Sequence, residues 1–324
     1  ALRAKRLNIL SSNIHVSSEN RIDEIINQIN IVKPQLLIID SVQTVYSDSV
    51  ESLPGSITQI RECGQKLLQV AKDEKIAVLV IGHVTKEGVI AGPKMLEHMV
   101  DTVLYLEGDE RQDHRILRSV KNRVGTTNEV GIFQMNTNGL SEVRNPSELF
   151  LAERRIDITG STIFPSLEGT RPILVEIQSL VSPANFNTPQ RNVNGFDFKR
   201  LSMLIAVLEK RMGYKMGTQD VYVNLVGGLK INDPAADLSV ISALASSEKD
   251  KIIKDSVVLI GEVGLGGEIR SVVRLEERIN ETKALGFKQV VAPKSSVQRL
   301  KPKPKDIKLY AVSHVVEAFN IIFE

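Results

Sequence analysis

The segment Leu36-Leu37-Ile38-Ile39-Asp40-Ser41 runs four aliphatic residues into a carboxylate and a hydroxyl. It reads as a buried strand with an acid at its tip. In an open parallel sheet, ligands gather outside the carboxyl ends of the strands, so Asp40 in that position would face whatever the sheet binds. It is either the Walker-B acid of a P-loop nucleotidase, helping to hold Mg²⁺ through its water shell, or an Asp that starts a loop or caps a helix. A second candidate is His83, which opens His83-Val84-Thr85-Lys86-Glu87-Gly88-Val89-Ile90-Ala91-Gly92-Pro93-Lys94 just past another aliphatic run. At a strand tip it could sense a phosphate, orient a water or cap backbone groups. The third is Lys121-Asn122-Arg123-Val124-Gly125, with two cations, an amide and a glycine at a strand end. Lys and Arg supply charge for an oxyanion and Gly allows close backbone approach; a solvated basic turn is the plainer alternative. Glu97, His98 and Asp101 have metal-ligand chemistry but lie on a short helix without a His-x-x-x-His pattern. Cys63 falls on a helix's apolar face and reads as a small core residue.

These groups need a scaffold. Residues 14–17 read as a short strand, and Ile22, Ile25, Ile26 and Ile29 recur at helical spacing until Pro34 stops the helix. Ser56 and Gln59 stand in capping-box relationship ahead of a helix with Ile57, Ile60, Cys63, Leu67, Leu68 and Ala71 on one face. Residues 76–82 are a further apolar strand, so strand, helix, strand, helix, strand predicts a doubly wound α/β sheet with mostly parallel strands. Strands at 102–107, 115–121 and 130–135, joined by short polar turns, predict antiparallel neighbours. Asn145-Pro146-Ser147-Glu148 opens a connecting helix, and near Ile156 the pattern changes to a second α/β region. There the strands fall at 172–181, 221–231, 257–262, 268–272 and 289–292, and the helices at 198–211, 234–246, 275–285 and 314–323. Gly264-Leu265-Gly266-Gly267 lies between strand-like runs and reads as a hairpin turn. The expected division is 1–144, a linker helix over 145–155, and 156–324.

The chain has 324 residues, enough for two domains, with 42% hydrophobic and 25% charged residues. A formal net charge of +2 leaves nucleic-acid contact to local clusters rather than the overall field. One cysteine excludes an internal disulfide and a multi-cysteine zinc site within these residues, and suits a reducing compartment. No apolar run approaches the roughly 20 residues of a bilayer span. The reading is cytoplasmic, and the start at Ala1 reads as a fragment.

In order along the chain, Leu36-Leu37-Ile38-Ile39-Asp40-Ser41-Val42-Gln43-Thr44, Gly82-His83-Val84-Thr85-Lys86-Glu87-Gly88, Leu96-Glu97-His98-Met99-Val100-Asp101 and Lys121-Asn122-Arg123-Val124-Gly125 closely resemble the bacterial RadA (Sms) family of DNA repair proteins. The likeness covers essentially the whole chain, with Val124 where Phe is usual. It implies a RecA-like core, truncated at its N-terminus, in a DNA-dependent ATPase and helicase that drives branch migration on single-stranded DNA. A homo-oligomeric, hexameric ring is implied, with branched recombination intermediates and the RecA recombinase as partners. By the same resemblance Asp40 is the Walker-B acid, with Ser41 beside it, and His83 takes the place of the Gln that couples nucleotide to DNA. Lys121, Asn122, Arg123 and Gly125 would form a nucleotide-facing subunit interface where Lys121 and Arg123 reach toward a neighbour's nucleotide. Lys86 and Lys94 are the expected DNA contacts. ATP and Mg²⁺ are the implied cofactors, and zinc belongs to a four-cysteine module before this chain. The family's Gly-x-x-x-x-Gly-Lys-Ser/Thr loop occurs nowhere in these residues, so the chain alone is expected not to hydrolyse ATP.

The second half, through Gly261-Glu262-Val263 and Ala292-Pro293-Lys294, resembles the proteolytic domain of Lon. That offers a Ser-Lys peptidase as the alternative, which needs a hydroxyl nucleophile and a lysine base. The matching positions hold Ala235 and Glu276, so a non-catalytic Lon-like platform is expected. A ring scaffold without motor activity is a third reading.

Overall fold

The structure is a computed structural model that describes residues 11–83, 91–108, 113–127, 129–184, 188–302 and 304–323. The chain divides into two compact units, Ala1–Tyr105 with Ser119–Thr127, and Leu106–Arg118 with Asn128–Glu324.

In the first unit, helix α1 (Ile22–Val32) buries Ile22, Ile25 and Ile29, the face that the spacing predicted. It ends where Lys33 turns left-handed and returns its N–H to the Ile29 carbonyl, one residue before Pro34. Strand β1 (Leu36–Asp40) lies parallel to β2 (Ala77–Ile81), in register from Leu36 opposite Ala77 to Asp40 opposite Ile81. Between them, α2 (Ile57–Asp73) starts at Ser56, whose hydroxyl accepts the Gln59 N–H. Only that half of the capping box forms, because the Gln59 side chain turns inward. It accepts from the Ser47 N–H and donates to the carbonyls of Ser47, Val50 and Ser52, pinning the segment that follows β1.

Helices α1 and α2 cover one face of the pair around Ile39, Val45, Cys63 and Leu67. The four-aliphatic run is therefore not buried throughout, since Leu36 and Ile38 are each 53% exposed. Strand side chains alternate between faces, and Leu79, opposite Ile38 on β2, is exposed as well. Residues 14–17 form no strand and are exposed. Burial pushes the Cys63 thiol up to about 11, so it stays protonated and shielded at neutral pH. A disulfide reagent at pH 8 is expected to label native protein at least about a hundredfold more slowly than urea-unfolded protein; equal rates would remove Cys63 from the core.

Helix α3 (Ala91–Met99) and strands β3 (Thr102–Glu107) and β4 (His114–Asn122) follow. β4 pairs antiparallel with β5 (Val130–Asn136), as the polar turn between them predicts, and β5 pairs antiparallel with β6 (Gly139–Glu142), a strand the sequence reading did not place. Short helix α4 (Pro146–Leu151), capped by Asn145, buries Ser147 and places Phe150 in the core of the second unit. The Ser147 hydroxyl accepts the Leu174 N–H and donates to Glu281.

The second unit is built on a seven-stranded sheet. Its strands are β7 (Ser161–Glu168), β8 (Arg171–Pro183), β9 (Arg191–Asn194), β10 (Gln219–Leu225), β11 (Val257–Leu259), β14 (Gln289–Pro293) and β15 (Lys308–Val312), in spatial order β15-β14-β11-β7-β8-β10-β9. Four of its six pairings are parallel, those of β15, β14, β11 and β7 in turn and that of β10 with β9. Helices α5 (Phe198–Met212), α6 (Asp237–Lys249), α7 (Leu275–Ala284), α8 (Lys294–Val297) and α9 (Val315–Phe323) complete the layers.

Strands β12 (Glu262–Val263) and β13 (Ile269–Arg270) flank the predicted hairpin turn, closed by Gly264 N–H to the Glu268 carbonyl. β10 stops at Leu225 rather than 231, because Gly227 and Gly228 both take positive φ. At Gly195 (φ +80°), a Cβ would meet the Leu229 carbonyl oxygen at 2.5 Å. Gly195→Ala is accordingly expected to cost at least about 2 kcal/mol, from strain plus overpacking, read as a lower urea midpoint.

Candidate functional site

Register brings the first candidates to one edge. Asp40 ends β1 opposite Ile81, and His83 follows β2 by two residues, so both sit at the carboxyl edge of the parallel pair with exposed side chains. Ser41 is buried, and its carbonyl accepts from the Thr44 hydroxyl at 2.8 Å. The link between the two strand ends is Gln43, whose Nε2 donates to the His83 carbonyl at 2.9 Å. Its Oε1 is buried with no hydrogen-bond partner among the described residues. Gly55, at φ +81°, lets the chain pass close to the Gln43 carbonyl, where a Cβ would stand 3.2 Å away. Gln43 was within sight in the sequence, but a Gln side chain carries no signal of its partner 40 residues away. Lys94 is an exposed residue of α3, and Lys86 lies outside the described residues.

The basic pentapeptide is a folded turn at the end of β4. Asn122 Oδ1 accepts the N–H groups of Val124 and Gly125 at 3.3 and 3.1 Å, and a Cβ on Gly125 would come within 2.7 Å of the Asn122 amide. The two cations part company. Lys121 Nζ turns inward and donates to the carbonyls of Glu97 (2.7 Å), His98 (3.4 Å) and Val100 (2.8 Å). Arg123 points out, with its side chain 77% exposed and a loose pair to Asp101 at 3.3 Å. Neighbouring Val124 is also exposed. Glu97 accepts from the Tyr105 hydroxyl at 2.6 Å, and no group of three His, Cys, Asp or Glu able to hold a metal occurs among the described residues.

In the second unit, Ala235 is buried in a 3₁₀ turn (Pro234–Ala236) whose first residue is preceded by Asp233, the side-chain acceptor of the Ala235 N–H. Glu276 is exposed in the first turn of α7. Neither offers the hydroxyl or amine that Ser-Lys chemistry needs. What surrounds the turn is ionic. Arg278, fully buried, pairs with Asp233 and donates to the Pro165 carbonyl, with its guanidinium over the Phe164 ring. Asp237, also fully buried, pairs with Arg200 and accepts the Val263 N–H at 2.9 Å. Next to this region a polar cavity of about 390 Å³ is lined by Arg118, Ser166, Glu168, Lys230 and Asp233. Arg118 bridges Glu107 and buried Glu168 there.

Comparison with known proteins decides the family. Residues 207–324 match the Lon protease (S16) C-terminal proteolytic domain. Over 320 residues the chain is 48% identical to a DNA repair protein RadA of Halalkalibacterium halodurans, covering 99% of this chain and 70% of the relative. The chain belongs to the RadA family of DNA repair proteins. RadA proteins of Listeria monocytogenes and Bacillus subtilis are each 49% identical over 319 residues, which is 98% of this chain and 70% and 69% of theirs. The mixed α/β fold with its Lon-protease-like C-terminal region is therefore that of a RadA chain. Among the described residues no helix is long and apolar enough to cross a membrane.

Proposed function

We infer that this chain carries the coupling portion of a DNA-dependent ATPase that drives branch migration in recombinational repair, as a ring, hexameric in this reading, on single-stranded DNA. The observation that supports it is the convergence of Asp40, Ser41, Gln43 and His83 on one carboxyl edge, with Gln43 tying the two strand ends together. Asp40, an exposed carboxylate at a strand tip, fits a magnesium ion held through water. Bound Mg²⁺·ATP would supply the free energy of hydrolysis, and no phosphate-cradling glycine loop with its Lys-Ser/Thr is present in these residues. His83 and Gln43 then report nucleotide state to the segment that carries Lys86 and Lys94, which touch DNA phosphates. Branched recombination intermediates and the RecA recombinase are the partners of this activity, and the Lon-like region is a platform for assembly.

Replacing Lys86 and Lys94 together by alanine is expected to weaken oligo-dT binding. It should also reduce the slope of log K against log salt by about 1.4, from about 0.7 per phosphate contact on single strands. An unchanged slope removes both lysines from the DNA path. Light scattering with and without oligo-dT tests the ring, and a monomer in both states sinks it. The peptidase reading has the family match at 207–324 in its favour. Ala235 and Glu276 leave it without a nucleophile or a base.

A further inference from the structure

We propose that Lys121 is a positioning residue that clamps the C-terminus of α3 and thereby sets Arg123, which is the cation of the turn that faces a ligand. This rests on the nucleotide-facing reading of the turn and divides the labour within it. The last carbonyls of a helix have no partner inside the helix, and a lysine can satisfy them while complementing the dipole. Lys121 Nζ does this for Glu97, His98 and Val100, three acceptors that use all three ammonium donors. An ammonium so engaged is not available to a phosphate.

The helix end it holds is packed tightly. Leu96 is buried with Val42 and Ile60, and a Cβ on Gly64 of α2 would come within 2.5 Å of the Leu96 side chain, so α3 sits against α2 at van der Waals distance. The connection to Arg123 is direct. Val100 N–H donates to the Leu96 carbonyl, and the next residue, Asp101, accepts the Arg123 N–H at 3.0 Å and its guanidinium at 3.3 Å. Movement at Val100 therefore moves Asp101, and Arg123 with it. Among the described residues the Arg123 guanidinium is held by that exposed pair alone, which a phosphate can displace at small cost.

The test uses the full chain with Lys121→Met, Lys121→Arg and Arg123→Gln, read by amide exchange and by binding of a fluorescent ATP analogue with Mg²⁺. Lys121→Met is expected to speed exchange at Val100 and Arg123 by about tenfold or more, the loss of charge-assisted bonds to three carbonyls, while α1 amides stay protected. It should also weaken the analogue. Lys121→Arg, whose guanidinium can reach the same carbonyls, should restore both properties to within about threefold. Arg123→Gln should weaken the analogue with Val100 exchange unchanged. If Lys121→Met leaves Val100 exchange unchanged, or Lys121→Arg loses Val100 protection while α1 keeps its own, the clamp is wrong. If wild-type protein binds no analogue, the absent Gly-x-x-x-x-Gly-Lys-Ser/Thr loop accounts for it, and the exchange arm decides the clamp.

Discussion

Arg278→Met is expected to lower the unfolding free energy of the second unit by about 3–5 kcal/mol, the range for breaking one partner of a buried ion pair. The guanidinium is fully buried on α7, paired with Asp233, bonded to the Pro165 and Val273 carbonyls and stacked over Phe164. Burial pulls its pKa below the usual arginine range, and the neighbouring Asp233 opposes that pull. Methionine refills much of the volume but leaves two carbonyls and a carboxylate without their donor. Asp233 in turn caps the 3₁₀ turn that contains Ala235, so loosening it unseats the start of α6. For a unit of this size the melting temperature should fall by on the order of 10 °C. Changing both partners, Asp233→Asn with Arg278→Met, should cost less than Arg278→Met alone, because no charge is then left unpaired. A double variant at least as unstable as Arg278→Met would mean that the loss is one of packing and not of charge.

That arginine also marks where sequence reasoning stops. Local periodicity carried α1 from Ile22, Ile25 and Ile29, the stop at Pro34, and the hairpin at Gly264–Gly267, because each depends on neighbours within a few residues. Arg278 follows two glutamates in Leu275-Glu276-Glu277-Arg278, a local pattern that gives no sign of burial, and its partners Asp233 and Pro165 are 45 and 113 residues away. β7 went unseen because Pro165 interrupts it. Toward β11 the register pairs Ile163 with Val258, so the proline falls past the point where that ladder needs a donor. At the site, the strand tips of Asp40 and His83 were legible from two aliphatic runs. The separation of Lys121 from Arg123 was not, since a lysine in a basic turn gives no hint of three carbonyls on a helix 21 to 24 residues earlier.

The second large effect is expected from Asp237→Ala, about 3–5 kcal/mol for removing one side of a buried, bidentate charge pair. Asp237 is the first residue of α6 and has no exposed surface. Its two oxygens accept from Nε and Nη2 along one edge of the Arg200 guanidinium, and one also accepts the Val263 N–H. Hydrogen bonding to Asp237 holds the Arg200 proton more tightly than in a free arginine. One carboxylate thus ties α5, α6 and β12 together. Alanine would orphan the Val263 N–H and leave Arg200 with Glu262 at 3.8 Å as a poor substitute. Asp237→Asn keeps the shape and one acceptor but turns an amide donor toward arginine donors, so it should recover only part of the loss. Amide exchange in β12 and α6 should rise in both variants while α1 keeps its protection. With Arg278 on one side and Arg200 on the other, Pro234-Ala235-Ala236 is held between two buried ion pairs. Where a Ser-Lys peptidase needs a nucleophile free to meet substrate, this chain has a methyl group in a turn fixed from both ends. Supplying the missing hydroxyl and amine through Ala235→Ser with Glu276→Lys is therefore expected to yield no peptidase activity, and measurable cleavage by that double variant would reverse this account of the Lon-like region.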